Sequence, residues 1–221
     1  MTQATWGAVF DFDGVIINSA AQHEESWERL AAEIGKPLPP DHFERSFGMK
    51  NAYIIPHLLD WSHDPAEIER LSLRKEELYR IVVEEKGLEP IPGVVNFLEF
   101  LQRSGVPCVI GSSTQKLNIT SAFKRLGIGH FFADMATSED VTKGKPDPQV
   151  FLVAASKIKV PPQRCVVFED AVVGVQAGKA AGMRVVAVTT TNPPEKLQGA
   201  DLVVDRLDVI SPETWTKWFP A

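Results

Sequence analysis

Gly7-Ala8-Val9-Phe10-Asp11-Phe12-Asp13-Gly14-Val15 is the stretch on which the reading of this chain turns. An apolar run of strand length, Ala8 to Phe12, ends in Asp11-Phe12-Asp13-Gly14, two carboxylates one residue apart followed by a glycine. Alternation along an extended segment places Asp11 and Asp13 on the same side. Two acids leaving a buried strand beside Gly14 have no structural need of each other, and acids clustered in this way mark functional sites.

Outward from that strand, further apolar runs lie at Val106 to Ile110, Cys165 to Phe168, Arg184 to Val188 and Leu202 to Val204. Helical periodicity fills the spaces between them: Val94 to Arg103, Leu117 to Leu126, Pro148 to Lys157 and Val172 to Ala181 read as crossover helices. The alternation predicts an α/β fold, a doubly wound, Rossmann-like parallel sheet with helices on both faces. One gap is different. About ninety residues separate the first run from the second, with helical patterns and no convincing strand, and they read as an inserted helical cap. The expected boundaries are 1–17 and 91–221 for the core and 18–90 for the cap. Within the cap, Ala20 to Ile34 ends at Gly35 as a helix C-terminus should, and Pro39, Pro40 and Asp41 mark a turn into a new helix. Asn51 to Leu59 and Pro65 to Glu85 are two more helices, the second with Asp64 as N-cap and Pro65 at its first position. Near the end, Trp215 and Trp218 at i and i+3 read as a helix packed on the core.

Composition narrows the function classes. With 221 residues, 44% apolar and 24% charged, the chain can bury a full core and is not a disordered polymer. A formal charge of −6 gives no basic face on which nucleic acid could displace counterions. Cys108 and Cys165 each sit in a strand-like run without CxxC spacing, which reads as packing in a reducing compartment. The N-terminal apolar run is broken by Asp11 and Asp13 and follows no basic region, so it does not read as a signal peptide, and no run is long enough to span a bilayer. The expectation is a cytoplasmic monomer or weak homodimer acting on a small molecule, with no nucleic-acid or membrane partner.

In open parallel sheets ligands bind beyond the carboxyl ends of the strands. The residues that follow each apolar run here are consistent: Asp11 and Asp13 after the first, Gly111-Ser112-Ser113-Thr114 after the second, and Glu169-Asp170 after Cys165 to Phe168. Gly144-Lys145-Pro146-Asp147-Pro148 adds a lysine just before a helix. Carboxylates brought that close repel unless a cation neutralises them, and hard oxygen ligands suit Mg²⁺, with phosphate completing its shell. One carboxylate could then attack phosphorus to form an acyl phosphate, while a second, two residues on, protonates the leaving oxygen and later deprotonates water. Lys145 and the Ser112 loop would offset charge on the phosphoryl oxygens. Simpler readings stay open beside these: Asp170 as N-cap of the helix from Ala171, and Ser113 and Thr114 either sharing the phosphate or capping the next helix.

Four motifs in order, Asp11-Phe12-Asp13-Gly14-Val15, Ser112, Lys145 in Lys-Pro-Asp-Pro, and Glu169-Asp170-Ala171 with Gly174 and Ala177, carry a resemblance. The chain resembles the haloacid dehalogenase superfamily, in its phosphatase and β-phosphoglucomutase-like branch, over nearly its whole length. The resemblance implies that Asp11 is nucleophile and metal ligand, and that Asp13 is general acid/base and ligates metal through its backbone carbonyl. It implies that Asp170, with Glu169 directly or through water, completes the magnesium site. Gly14, Ser112, Ser113 and Lys145 become the candidate phosphate contacts. The insert becomes a mobile lid in which His23, Lys50 and Asn51 are candidate substrate contacts, with Gly48-Met49 on a loop entering the site. The chain departs from its relatives at Asn18-Ser19, where many carry an acid. It departs from the mutase subgroup at Lys50-Asn51 and Gln115-Lys116, where an arginine and a lysine are typical.

The leading expectation is a magnesium-dependent phosphatase that hydrolyses a sugar phosphate or similar metabolite through an aspartyl phosphate. A phosphomutase of the β-phosphoglucomutase type comes second. A catalytically silent binding protein comes last, because none of the motif residues is lost. By the same resemblance Asp13 argues against dehalogenation, whose leaving group needs no proton.

Overall fold

The structure, a computed structural model, describes residues 6–220; residues 1–5 and Ala221, which fall within the expected core boundaries, lie outside it. Along the chain run β1 (Gly7–Phe10), β2 (Ile17–Asn18), α1 (Ala20–Ile34), α2 (His42–Ser46), α3 (Asn51–Tyr53), α4 (Pro65–Lys86) and β3 (Glu89–Pro90). There follow α5 (Val94–Arg103), β4 (Cys108–Gly111), α6 (Lys116–Leu126), β5 (Asp134–Ala136), α7 (Gln149–Lys157), β6 (Cys165–Glu169), α8 (Val172–Ala180), β7 (Arg184–Val188), β8 (Leu202–Val204) and α9 (Glu213–Trp218).

Six strands form one parallel sheet in the order β5-β4-β1-β6-β7-β8. Counting only these strands along the chain the order is 3-2-1-4-5-6, the doubly wound arrangement, and it reverses between β1 and β6. β1 and β4 are apolar at every position, and so is β6 up to Glu169 at its carboxyl end, because both faces are covered. Ala8, Phe10, Ile110, Val166 and Phe168 pack into one cluster, while Val9, Val109, Cys165, Val167 and Val185 pack into the cluster on the opposite face. The two cysteines are free and buried, and burial pushes both thiols up to about 12, which keeps them inert. Trp215 of α9 is buried and stacks on Trp6 at a centroid distance of 4.8 Å.

The helices between β2 and β3 have a separate apolar centre of Trp27, Leu30, Ala31, Ile54, Ile55, Trp61, Leu71 and Leu78. The chain enters and leaves this layer side by side, where β2 and β3 pair Ile17 with Pro90 and Asn18 with Glu89. α1 ends at Gly35 with φ 65°, and α4 begins with Pro65 behind Asp64, whose Oδ1 accepts the Glu67 N–H at 3.0 Å.

Three local expectations differ from what is found. β1 stops at Phe10, so Asp11 and Asp13 stand in the loop beyond it. Asn51 to Leu59 is not one α-helix: after Tyr53 the turn widens over Ile54–Leu58 and Leu59 N–H reaches back five residues to Ile54 O. Pro56 is the cause, because it has no N–H to donate and its ring crowds the carbonyl four residues before it. A further edge strand, β5, and the β2–β3 pair were not anticipated.

Candidate active site

β1 and β6 are neighbours, so their carboxyl ends deliver Asp11 and the Glu169-Asp170 pair to the point where the sheet order reverses. Asp11, Glu169 and Asp170 each bring a carboxylate oxygen within 4.8 Å of the others, and all three are buried. Gly14 makes the approach possible: at φ +77° its missing Cβ would lie 1.9 Å from Asp170 Oδ2. Gly174 on α8 has the same function for Glu169, since a Cβ there would fall 1.7 Å from Oε1.

Lys145 reaches into this cluster with a fully buried side chain, its Nζ 2.9 Å from Asp11 Oδ1 and 2.5 Å from Glu169 Oε1. The other Glu169 oxygen accepts the N–H groups of Asp170 and Ala171, at 2.8 and 2.7 Å, where α8 begins. Glu169 therefore spends most of its acceptor capacity orienting Lys145 and its own loop. Asp170 is held by Thr191 Oγ1 at 2.5 Å on Oδ2, while its Oδ1 is buried and accepts no hydrogen bond. Thr190 Oγ1 donates to Gly14 O at 2.5 Å and Asn192 Nδ2 to Asp170 O at 3.0 Å. None of these three was singled out in the sequence. They follow Val188 at the end of β7 with only Thr189 between, where the strand-end rule finds them once hydroxyls and amides are weighed as heavily as acids.

One lysine does not balance three buried carboxylates. Burial pushes Asp11 up to about 7, against the pull of Lys145 and helped by the charges of Glu169 and Asp13. Burial, and then Glu169 and Asp11, push Asp170 well above the carboxylate range. Excess negative charge and an orphaned carboxylate oxygen are what a hard cation neutralises, so the cluster fits a metal ion.

Asp13 does not share this environment, although it too lines the cavity above Asp11. Its carboxylate accepts from Ser19 Oγ at 2.6 Å and from Thr114 Oγ1, and His23 Nε2 lies 3.1 Å away. Burial raises an acid, yet His23, Ser19 and Thr114 outweigh it and hold Asp13 well below its ordinary value. Behind His23, Lys75 Nζ lies 2.7 Å from Nδ1, and an ammonium can only donate; Nδ1 therefore accepts and Nε2–H points at Asp13. Lys75 and its neighbour Glu76, both buried, were not among the sequence candidates. Their helical spacing shows them only as charged positions on a long amphipathic helix.

The remaining candidates divide. Ser112 is buried, lines the cavity and accepts the Thr114 N–H at 3.2 Å, leaving its own proton to donate. Ser113 faces the cavity but gives its hydroxyl to Gly48 O at 3.0 Å, tying the core loop to the helical layer. Lys50 turns away from Asp11, donating to Ser138 O and Val141 O at 2.9 and 2.8 Å. Asn51 lines the cavity and donates to Glu76 Oε1 at 2.7 Å. The cavity itself measures about 50 Å³, with Trp27, Phe43, Phe47, Met49 and Ile54 as its apolar wall.

A doubly wound sheet with clustered buried acids, a buried lysine and a hydroxyl loop at its switch point is the setting of a hydrolase fold of one recognisable type. The model of the haloacid dehalogenase-like hydrolases matches residues 7–182, and the chain belongs to that family. It is 36% identical over 208 residues to the chloroplastic 5-amino-6-(5-phospho-D-ribitylamino)uracil phosphatase of Arabidopsis thaliana, covering 93% of this chain. This chain spans only about half of that relative, 55% of its length. It is 33% identical over 202 residues to β-phosphoglucomutase of Bacillus subtilis, covering 89% of this chain and 87% of that one. Among solved structures, the β-phosphoglucomutase of Clostridium difficile superposes with a TM-score of 0.84 at 26% identity, covering 96% of each chain. Among the described residues, no helix is long and apolar enough to cross a membrane.

Proposed function

We propose that the chain is a phosphatase for a small phosphorylated metabolite, a sugar phosphate or similar monoester, working through an aspartyl phosphate on Asp11. The observation that carries this reading is Asp11 itself: a carboxylate at the sheet's switch point, paired with a buried Lys145 at 2.9 Å and lining a cavity beneath the helical layer. Relatives with phosphatase and phosphomutase names support the reaction class.

In this account Asp11, the backbone carbonyl of Asp13, Asp170 and, directly or through water, Glu169 hold Mg²⁺. When bound, the ion offsets charge on the phosphoryl oxygens and relieves the repulsion among the acids. Asp11 attacks phosphorus, and Lys145 with the Ser112 hydroxyl balances the charge that develops on the phosphoryl group. Gly14 leaves the backbone free to approach it. Asp13, held as an anion by its donors, is set to take the proton of the water that cleaves the acyl phosphate. Its donation to the leaving oxygen in the first step requires an incoming substrate to displace one of those donors.

Residues 18–90 act as the lid in this reading, with core residues 1–17 and 91–221 beneath it. A cavity of about 50 Å³ holds on the order of three or four waters, too few for a whole sugar phosphate. Entry therefore moves the lid, breaking contacts such as Lys50 to the Ser138 and Val141 carbonyls, and closure excludes water from the phosphoryl group. The test is phosphate release from a panel of phosphorylated sugars, polyols and nucleotides, with Mg²⁺ or with chelator. Metal-dependent release from at least one monoester is expected, and no release from any of them, nor from p-nitrophenyl phosphate, would sink the proposal.

A further inference from the structure

The wall of the cavity facing Asp11 carries an acid that the reaction does not call for. Glu76 on α4 lines the cavity and is almost fully buried, at 5% exposure. Its Oε1 accepts from Asn51 at 2.7 Å and lies 3.1 Å from Lys75 Nζ, and its Oε2 accepts Asn118 Nδ2 at 2.5 Å. Burial would raise its carboxyl, but Lys75, His23 and Asn51 hold it below the ordinary glutamate value, so it is an anion at neutral pH.

The cations nearby are already committed. Lys75 is spent on Glu76 and His23 and sits over the Trp27 and Tyr79 rings, 5.5 Å from each centroid. Lys145 is shared between Asp11 and Glu169. With the lid closed again over a substrate, Lys50 caps two core carbonyls, and Arg80 donates to Asn118 Oδ1 at 2.9 Å. A second phosphate on the substrate would therefore meet an anion and, among the described residues, no uncommitted cation in a site that lid closure shields from water. A neutral remainder meets something different. A carboxylate has about four acceptor sites, of which Asn51, Lys75 and Asn118 occupy three, leaving one for a hydroxyl or amino N–H; the apolar wall takes the carbon framework.

Building on the phosphatase reading above, we infer that Glu76 is a specificity-determining residue that restricts the enzyme to monophosphates whose far end is uncharged and carries a hydrogen-bond donor. The consequence reaches the reaction type. Returning a phosphoryl group to a second position on the same sugar passes through a bisphosphate that must bind by either end, and each orientation places a phosphate against Glu76. The same carboxylate that selects the substrate thus favours hydrolysis over mutase turnover.

The experiment uses the full chain with excess Mg²⁺ and p-nitrophenyl phosphate as reporter, and measures competition constants for fructose 6-phosphate and fructose 1,6-bisphosphate. In the wild type the bisphosphate competes at least about tenfold more weakly, despite its greater charge. In Glu76→Gln, which removes the anion and frees Lys75, the ratio moves toward the bisphosphate by about tenfold or more. Asn51→Arg, a change at the half-buried cavity rim that leaves Glu76 in place, moves the ratio the same way should Glu76→Gln not fold. A wild type that takes the bisphosphate as well as the monophosphate, or ratios unmoved in every folded variant, overturns the inference. If the wild type releases phosphate from no monoester of the panel, the reporter included, the phosphatase reading fails separately. The two ligands are then compared by the rise they give in melting temperature, and equal stabilisation by the bisphosphate again overturns the role of Glu76.

Discussion

Asp11 and Asp13 are the same residue type two positions apart, and the structure separates them by environment alone. Asp11 sits among acids and is pushed up by burial to about 7, while Asp13 faces three donors and is held low despite burial. Paired acids driven apart in this way take different chemical roles. Asp11→Asn should leave the fold intact and lower turnover by at least about 10⁴-fold, because an amide is a poor nucleophile and a weaker metal ligand. Asp13→Asn should lose about 10²- to 10⁴-fold on a sugar phosphate, the usual weight of proton transfer. The loss should be smaller on p-nitrophenyl phosphate, whose leaving oxygen needs no proton, and initial rates on both substrates check this. Most of the site was legible in the sequence because charge stands out at the ends of apolar runs, as with Asp11 and Asp170, and just before a helix flanked by prolines, as with Lys145. Thr190, Thr191 and Asn192 were not, since neutral polar residues after a strand are ordinary. Glu76 was hidden for another reason, because a glutamate on a long helix reads as solvated until tertiary packing shows otherwise.

At the scale of elements, α8 carries the sharpest test. Replacing glycine by alanine inside a helix ordinarily stabilises by about 1 kcal/mol. At Gly174 the sign should reverse, because the new Cβ would sit 1.7 Å from Glu169 Oε1 and displace the carboxylate that holds Lys145. Denaturant unfolding of Gly174→Ala should show a loss of about 1 to 3 kcal/mol together with lost activity; a stabilised, active variant would mean that Glu169 has room to move without consequence. The elements themselves were read well where their burial is uniform. β6 is an apolar run up to Glu169 and β7 one from Val185 onward, and α1 and α4 carry caps and period together. β5 escaped notice because Asp134-Met135-Ala136 is a three-residue edge strand, exposed at its first position, with no pattern to count. The β2–β3 pair escaped because two residues a side, one of them Pro90, carry no periodicity at all.

For the whole molecule, the acid cluster couples folding to pH and to metal. The unfolded chain releases the Asp11 proton near 3.8, whereas the folded, metal-free protein keeps it to about 7. The stability this group contributes is therefore complete below the lower value and lost as pH rises through the upper one, and Asp170 acts in the same direction. A bound cation takes the place of the proton. Mg²⁺ at roughly a hundredfold its dissociation constant should raise the melting temperature by about 5 to 10 °C at about pH 8 and by much less at about pH 5. A shift independent of pH would show that the ion binds elsewhere. The central claim is covalent: the phosphoryl group passes through Asp11. Acid-quenching the enzyme during turnover, reducing it with borohydride and mapping the peptides reads this directly, because an aspartyl phosphate is reduced to homoserine while a free aspartate is not. The account predicts homoserine at position 11, dependent on substrate and absent when substrate is withheld. Unmodified Asp11 in an enzyme quenched in full turnover, under conditions that capture a control acyl phosphate, would contradict it.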